Sequence, residues 1–176
     1  MAKHVEIRLL AKDDDRSQFS CGDAAIDRFF EHYAGQNQFK LHLAVTYVAV
    51  LGSKIAGYAT VSVGELERAN VPSARLRKRL PNYPLPVLRL ARLGVDARAQ
   101  RLGIGKALLR HVLGLALQQR ERTGCIGVVT DAKSGSVAFY KALGFEVLEG
   151  VSDGVLTSEP APMFLGMKTI SAALEP

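Results

Sequence analysis

The sequence predicts an α/β fold built on a mixed sheet. Two β-rich segments flank Gly52-Ser53-Lys54 and read as a hairpin. A strand-helix-strand-helix-strand run follows from Val87, and its two helices close on Gly124 and Gly144. The chain has 176 residues, nearly half of them hydrophobic, so one domain over 1–176 with a substantial core is expected.

The elements follow in order. Val5, Ile7 and Leu9 alternate as in a strand. Asp23 reads as an N-cap, with Ile26, Phe29, Phe30 and Tyr33 on one helix face after it. Leu43–Leu51 and Ile55–Val63 are the hairpin strands. The stretch 65–86 joins a basic helical piece to Pro72, Pro81, Pro84 and Pro86, and long connections often carry function. Val87–Val95 is the next strand. Ile104–Arg122 is a helix burying Ile104, Ala107, Leu108, Val112 and Leu115. Cys125–Thr130 is a buried strand and Ser134–Leu143 a shorter helix. Phe145–Leu148 and Met163–Lys168 complete the sheet.

Composition excludes several classes. No apolar run is long enough to span a bilayer. The N-terminus, Met1–Arg8, alternates and lacks a secretory apolar core, so the cytoplasm is the expected location. Cys21 and Cys125 form no metal-ligand pattern, and two buried free thiols without a metal are expected. Formal charge is +6. Arg75, Arg77, Lys78 and Arg79 form one basic group; Arg89, Arg92, Arg98, Arg101 and Lys106 form another. The surplus suits an anionic partner such as RNA, although charge clusters taken alone favour a solvated basic face.

The most informative segment is the one following the strand Val87–Val95. Gln100-Arg101-Leu102-Gly103-Ile104-Gly105-Lys106 is a glycine-bearing basic loop opening a helix. Free N–H groups and the helix dipole make such a place an anion site. It lacks the Gly-x-Gly-x-x-Gly of dinucleotide folds and the Gly-Lys-Ser/Thr of nucleotide P-loops. About thirty-five residues on comes Phe139-Tyr140-Lys141-Ala142-Leu143-Gly144-Phe145.

In that order and spacing, the two segments resemble the GNAT family of acetyl-CoA-dependent N-acetyltransferases, with the match running from Val87 to about Leu148. The resemblance implies a sheet with splayed central strands flanked by helices. It implies that the backbone at Leu93 and Val95 pairs with the pantetheine arm and polarises the thioester carbonyl. It implies that the loop from Gln100 through Lys106 holds the pyrophosphate, and it extends the donor site to Ser134 and Phe139. Tyr140 then protonates the departing thiolate, a positioned phenol delivering a proton to sulfur. The alternative for Tyr140 is a packing aromatic beside Phe139.

The strand Val87–Val95 holds no Asp or Glu, and Asp96 lies beyond it. An acceptor must attack as a neutral amine. Lysine, with a pKa of about 10.4, is neutral only about 0.04% of the time at pH 7, whereas an α-amine near 7.7 is neutral roughly a sixth of the time. A site without an evident base therefore suits a low-pKa amine, while Glu65 or Glu67 stays open as a base.

The N-terminal half narrows the resemblance. Phe19-Ser20-Cys21-Gly22, with Ile26-Asp27 and Phe29-Phe30, is similar to the start of GNAT toxins of bacterial toxin–antitoxin pairs. Thr46-Tyr47-Val48 and Leu90-Ala91-Arg92-Leu93-Gly94-Val95-Asp96 resemble their next strands. Arg101 stands where those proteins often have glycine, Gly94 where they have alanine, and Ile26 where they have leucine. The resemblance implies acetylation of the α-amino group of aminoacyl-tRNA. It also implies a homodimer, a ribbon-helix-helix antitoxin as partner and no membrane association. Arg75, Arg77, Lys78, Arg79, Arg89 and Arg92 are the candidate tRNA contacts; Arg92 alternatively serves structure and Arg89 pairs with a carboxylate. Two competing functions are an acetyltransferase for protein or small-molecule amines and a non-catalytic acyl-CoA-binding module.

Overall fold

The computed structural model describes residues 4–148 and 160–175; Met1–Lys3, read above with the first strand, lie outside them. A seven-stranded sheet has the order β1-β2-β3-β4-β5-β7-β6. The chain forms two compact units, Met1–Ser62 with Leu90–Val112, and Val63–Arg89 with Leu113–Pro176.

In the first unit, β1 (Val5–Leu9) pairs antiparallel with β2 (Val45–Leu51), placing Val5 opposite Leu51 and Leu9 opposite Tyr47. β2 turns at Gly52, whose φ of +67° suits glycine, and pairs antiparallel with β3 (Lys54–Leu66). Asp23 caps α1 (Ala24–Arg28) by accepting from the N–H groups of Ala25 and Ile26. A π-helical turn at Phe29–Tyr33 then leads into α2 (Ala34–Phe39).

That turn corrects one expectation. The wider turn shifts the buried face by one residue, so Ala34 is buried while Tyr33 stays 43% exposed. Phe30 stacks on Tyr58 at 4.3 Å, and Phe19 meets both edge-on. Tyr58 donates to the Ile26 carbonyl, so its buried hydroxyl is satisfied. Cys21 is a free thiol but only half-buried; burial pushes it up to about 11, leaving it protonated and unreactive.

The second unit takes the end of β3, a short 3-10 turn at Arg68–Asn70, and α3 (Ala74–Arg77) capped by Ser73. β4 (Leu85–Val95) begins here and ends in the first unit. Ile126 donates to the Pro86 carbonyl and Arg89 reaches Asp131, so β4 and β5 (Gly127–Ala132) run parallel. The link between them is α4 (Ile104–Arg122), the helical crossover that parallel neighbours require. α4 buries Ile104, Leu108, Leu109, Val112, Leu113 and Ala116, whereas Ala107 and Leu115 are only half-buried, so the apolar stripe is rotated from the expected one.

After β5 come a 3-10 turn at Ser134–Ser136, α5 (Val137–Ala142) and β6 (Glu146–Val147). β7 (Ala161–Gly166) pairs antiparallel with both β5 and β6. Met167 and Lys168, expected in the last strand, instead open α6 (Met167–Leu174), which buries Ile170. Gly127 lies so close to the Leu165 carbonyl and Phe164 ring that a Cβ there would overlap both. The core gathers Leu66, Val71, Leu85, Val87, Val129, Leu148 and Phe164. No helix among the described residues is long and apolar enough to cross a membrane.

Candidate active site

The anion loop is built in the first unit. Asp96 follows β4 and is 3% exposed. Its carboxylate accepts from the N–H of Ser20 and from the backbone, Nε and Nη2 of Arg98. Those bonds hold its pKa down to about 2, with the Arg98 side chain as the largest cause. Asp96 also donates its own N–H to Ala56, and Ala97 donates to Ser20. The loop thus starts from a residue fixed on two sides. Asp96 is a structural anion and supplies no base.

Gln100 reaches back to the carbonyls of Val95 and Cys21, both at 3.3 Å. Arg101 has φ +66° and Gly103 φ +80°, so the chain turns twice through the left-handed region before α4 begins. The first intrahelical bond runs from Ala107 to Gly103. Ile104, Gly105 and Lys106 therefore have no i−4 acceptor, and among the described residues no other acceptor meets their N–H groups. Ile104 is buried; Gly57 opposite it has no room for a Cβ, which would lie 2.9 Å from the Ile104 side chain. This anchor leaves only backbone as the contribution of Ile104 to an anion. Gln100, Arg101, Leu102, Gly103 and Lys106 are exposed around it, Gly105 is half-buried, and Leu93 and Val95 are half-buried on β4. Free donors, a helix N-terminus and two exposed cations suit a pyrophosphate.

The second unit holds Tyr140, 5% exposed on α5. Phe139 and Phe145 meet its ring edge-on, each at 5.2 Å. Its hydroxyl shares a hydrogen bond with Thr130 on β5, and burial pushes the phenol up to about 12. Gly144, with φ +99°, turns the chain so that Phe145 donates to the Tyr140 carbonyl. Phe139 is half-buried, and Ser134 is exposed at the start of the preceding turn. The result is a protonated, positioned donor. Thr130 gives one signal in the sequence, a hydroxyl directly after the apolar run Cys125–Val129.

The basic residues divide. Arg75, Lys78 and Arg79 are exposed on or just beyond α3. Arg77 is half-buried and donates to the carbonyls of Val71 and Pro72, while its own carbonyl accepts from Arg68. Its Nη1 thus holds its own loop, in addition to the phosphate contact expected of it from the sequence. Arg89 pairs with Asp131 at 3.4 Å. Arg92 donates to Ala91 and lies 4.9 Å over the Phe29 ring, the structural alternative for that residue. β4 carries no carboxylate along its full length, and Glu65 and Glu67 are exposed at and beyond the end of β3.

The loop and the tyrosine segment are those of an acyl-CoA-dependent transferase. A family model for the GNAT acetyltransferase domain matches residues 42–147, and the chain belongs to that family. It is an N-acetyltransferase with acetyl-CoA as donor. A tRNA-acetylating toxin of Mycobacterium tuberculosis (strain ATCC 25618 / H37Rv) is 28% identical over 148 residues, 84% of this chain and 87% of the relative. A crystal structure of a KacT mutant matches with a TM-score of 0.85 at 26% identity, covering 97% of this chain and 99% of that one. AtaTR bound with acetyl-CoA matches with a TM-score of 0.78 at 27% identity, covering 98% and 99%.

Proposed function

We propose that this protein acetylates the α-amino group of an aminoacyl-tRNA and so blocks its use in translation. The observation that carries the reading is the near end-to-end likeness to a tRNA-acetylating toxin. Two features of this chain support it. β4 offers no carboxylate to deprotonate a lysine-like amine, and Asp96 is locked by Arg98. An ester-linked α-amine needs less help, because much more of it is neutral at pH 7. Arg75, Lys78 and Arg79 stand exposed without ion-pair partners among the described residues, as phosphate contacts require.

Acetyl-CoA supplies the acetyl group as an activated thioester. The N–H groups at Gly103–Lys106, with Arg101 and Lys106, hold its pyrophosphate. Backbone at Leu93 and Val95 pairs with the pantetheine arm, and one N–H there stabilises the carbonyl oxygen as the amine attacks. Ser134 and Phe139 complete the donor contacts. Tyr140, protonated at all physiological pH values, delivers its proton to the leaving sulfur as the C–S bond breaks, and the proton that the amine nitrogen sheds on becoming an amide passes to water. A ribbon-helix-helix antitoxin as partner, a homodimer, a cytoplasmic location and a single functional domain over 1–176 belong to the same reading.

Incubation of the protein with labelled acetyl-CoA and a mixture of charged and uncharged tRNA tests it. Label on the aminoacyl group is expected, released by mild base with the amino acid. Label confined to protein or uncharged tRNA refutes it. Replacing Arg75, Lys78 and Arg79 by Glu should weaken tRNA binding at least tenfold and flatten its salt dependence, with acetyl-CoA binding retained. Equal loss of both ligands refutes the patch.

A further inference from the structure

We propose that a cavity in the second unit is the subsite for the amino-acid side chain of the charged tRNA, and that its acidic wall rejects aspartyl and glutamyl groups. The inference rests on the aminoacyl-tRNA reading above. The cavity has a volume of about 320 Å³, near the lower limit for small-molecule sites and suited to one side chain.

Its position ties it to the chemistry. Thr130 lines it, and the Thr130 hydroxyl is bonded to that of Tyr140. The cavity therefore lies one hydrogen bond from the proton donor. Leu66, Val129, Leu148 and Pro162 give it an apolar floor, and the first three are buried. A neutral apolar side chain would bury surface there, which is favourable.

The wall decides charge. Glu65, Glu67 and Asp131 line the cavity together with one cationic residue, Arg89. Arg89 is already engaged with Asp131. Among the described residues neither Glu65 nor Glu67 has an ion-pair partner. The wall thus carries a net negative charge in an otherwise basic protein. It repels a side-chain carboxylate. Asn70 also lines the cavity. It is half-buried at the end of its 3-10 turn and outside the packed core, so a larger side chain there narrows the cavity.

The test compares kcat/KM across tRNAs carrying glycine, leucine, asparagine and aspartate, using the full chain. Wild type should prefer asparaginyl over aspartyl tRNA at least tenfold. The double variant Glu65→Gln, Glu67→Gln should narrow that ratio below threefold. Asn70→Trp should lower the leucyl-to-glycyl ratio at least tenfold. Ratios cancel any loss of folded enzyme. If wild type treats asparaginyl and aspartyl tRNA alike, or if the variants change all rates in proportion, the cavity assignment is overturned. Acetylation of none of the charged tRNAs overturns both the assignment and the function it rests on, and is distinguishable from a flat profile.

Discussion

Replacing Asp96 by Asn tests how the donor loop is held. In the folded chain the Asp96 carboxyl is lowered from 3.8 to about 2, chiefly by the Arg98 side chain. The shift corresponds to about 2 kcal/mol of stability. Its side chain is 4% exposed, so water screens it little, although Arg98 at 63% exposure limits the gain. Asn keeps one acceptor oxygen but presents an NH2 group to the remaining donors, so a loss of about 2 kcal/mol at pH 7 is expected. Because the folded pKa is the lower one, the contribution is complete above the unfolded value and fades as pH falls through about 2. The stability gap between wild type and variant, measured by urea unfolding, should be constant from pH 7 to 5 and shrink by about 1 kcal/mol between pH 5 and 3. The KM for acetyl-CoA should also rise, since the loop would lose its fixed origin. A gap that does not change with pH would refute the ion-pair account; an unchanged KM would separate Asp96 from the loop.

Tyr140→Phe should lower kcat by 10²-fold or more while leaving acetyl-CoA affinity within threefold, read by steady-state kinetics and calorimetry. Because the phenol is raised to about 12, the wild-type rate should show no alkaline limb from its loss of a proton below about pH 11. Arg101→Gly should raise stability by about 0.5–1 kcal/mol in thermal unfolding, because glycine relieves a left-handed φ of +66°. Its KM for acetyl-CoA should rise more than threefold, because the variant loses the Arg101 cation and keeps the backbone donors; an unchanged KM would assign the holding to the backbone alone.

Much of the fold was legible because its signals are local. Asp23 as an N-cap, the turn at Gly52, and Gly124 and Gly144 as helix stops each depend on a few neighbouring residues, and each is present. Tyr33 and the short helix α6 were not legible. A π-helical turn and a strand that gives way to a helix at Gly166 depend on what packs against them.

The same division holds for function. The order and spacing of Gln100–Gly105 and Phe139–Phe145 determined the family and the donor by themselves, because a phosphate cradle is made of backbone and needs only glycines at a helix start. Which cations are free was decided by tertiary structure. Arg77, Arg89 and Arg98 look alike in sequence to Arg75 and Arg79, yet Arg77 is engaged by the carbonyls of its own loop, Arg89 by Asp131 across the sheet and Arg98 by the distant Gln18 carbonyl as well as its neighbour Asp96. The Thr130 contact of Tyr140 and the cavity beside it were likewise invisible in the chain. They join residues of β3, β4, β5 and β7 with Asn70 after β3 and Leu148 after β6, and charge and burial belong to neighbourhoods that only the folded sheet assembles.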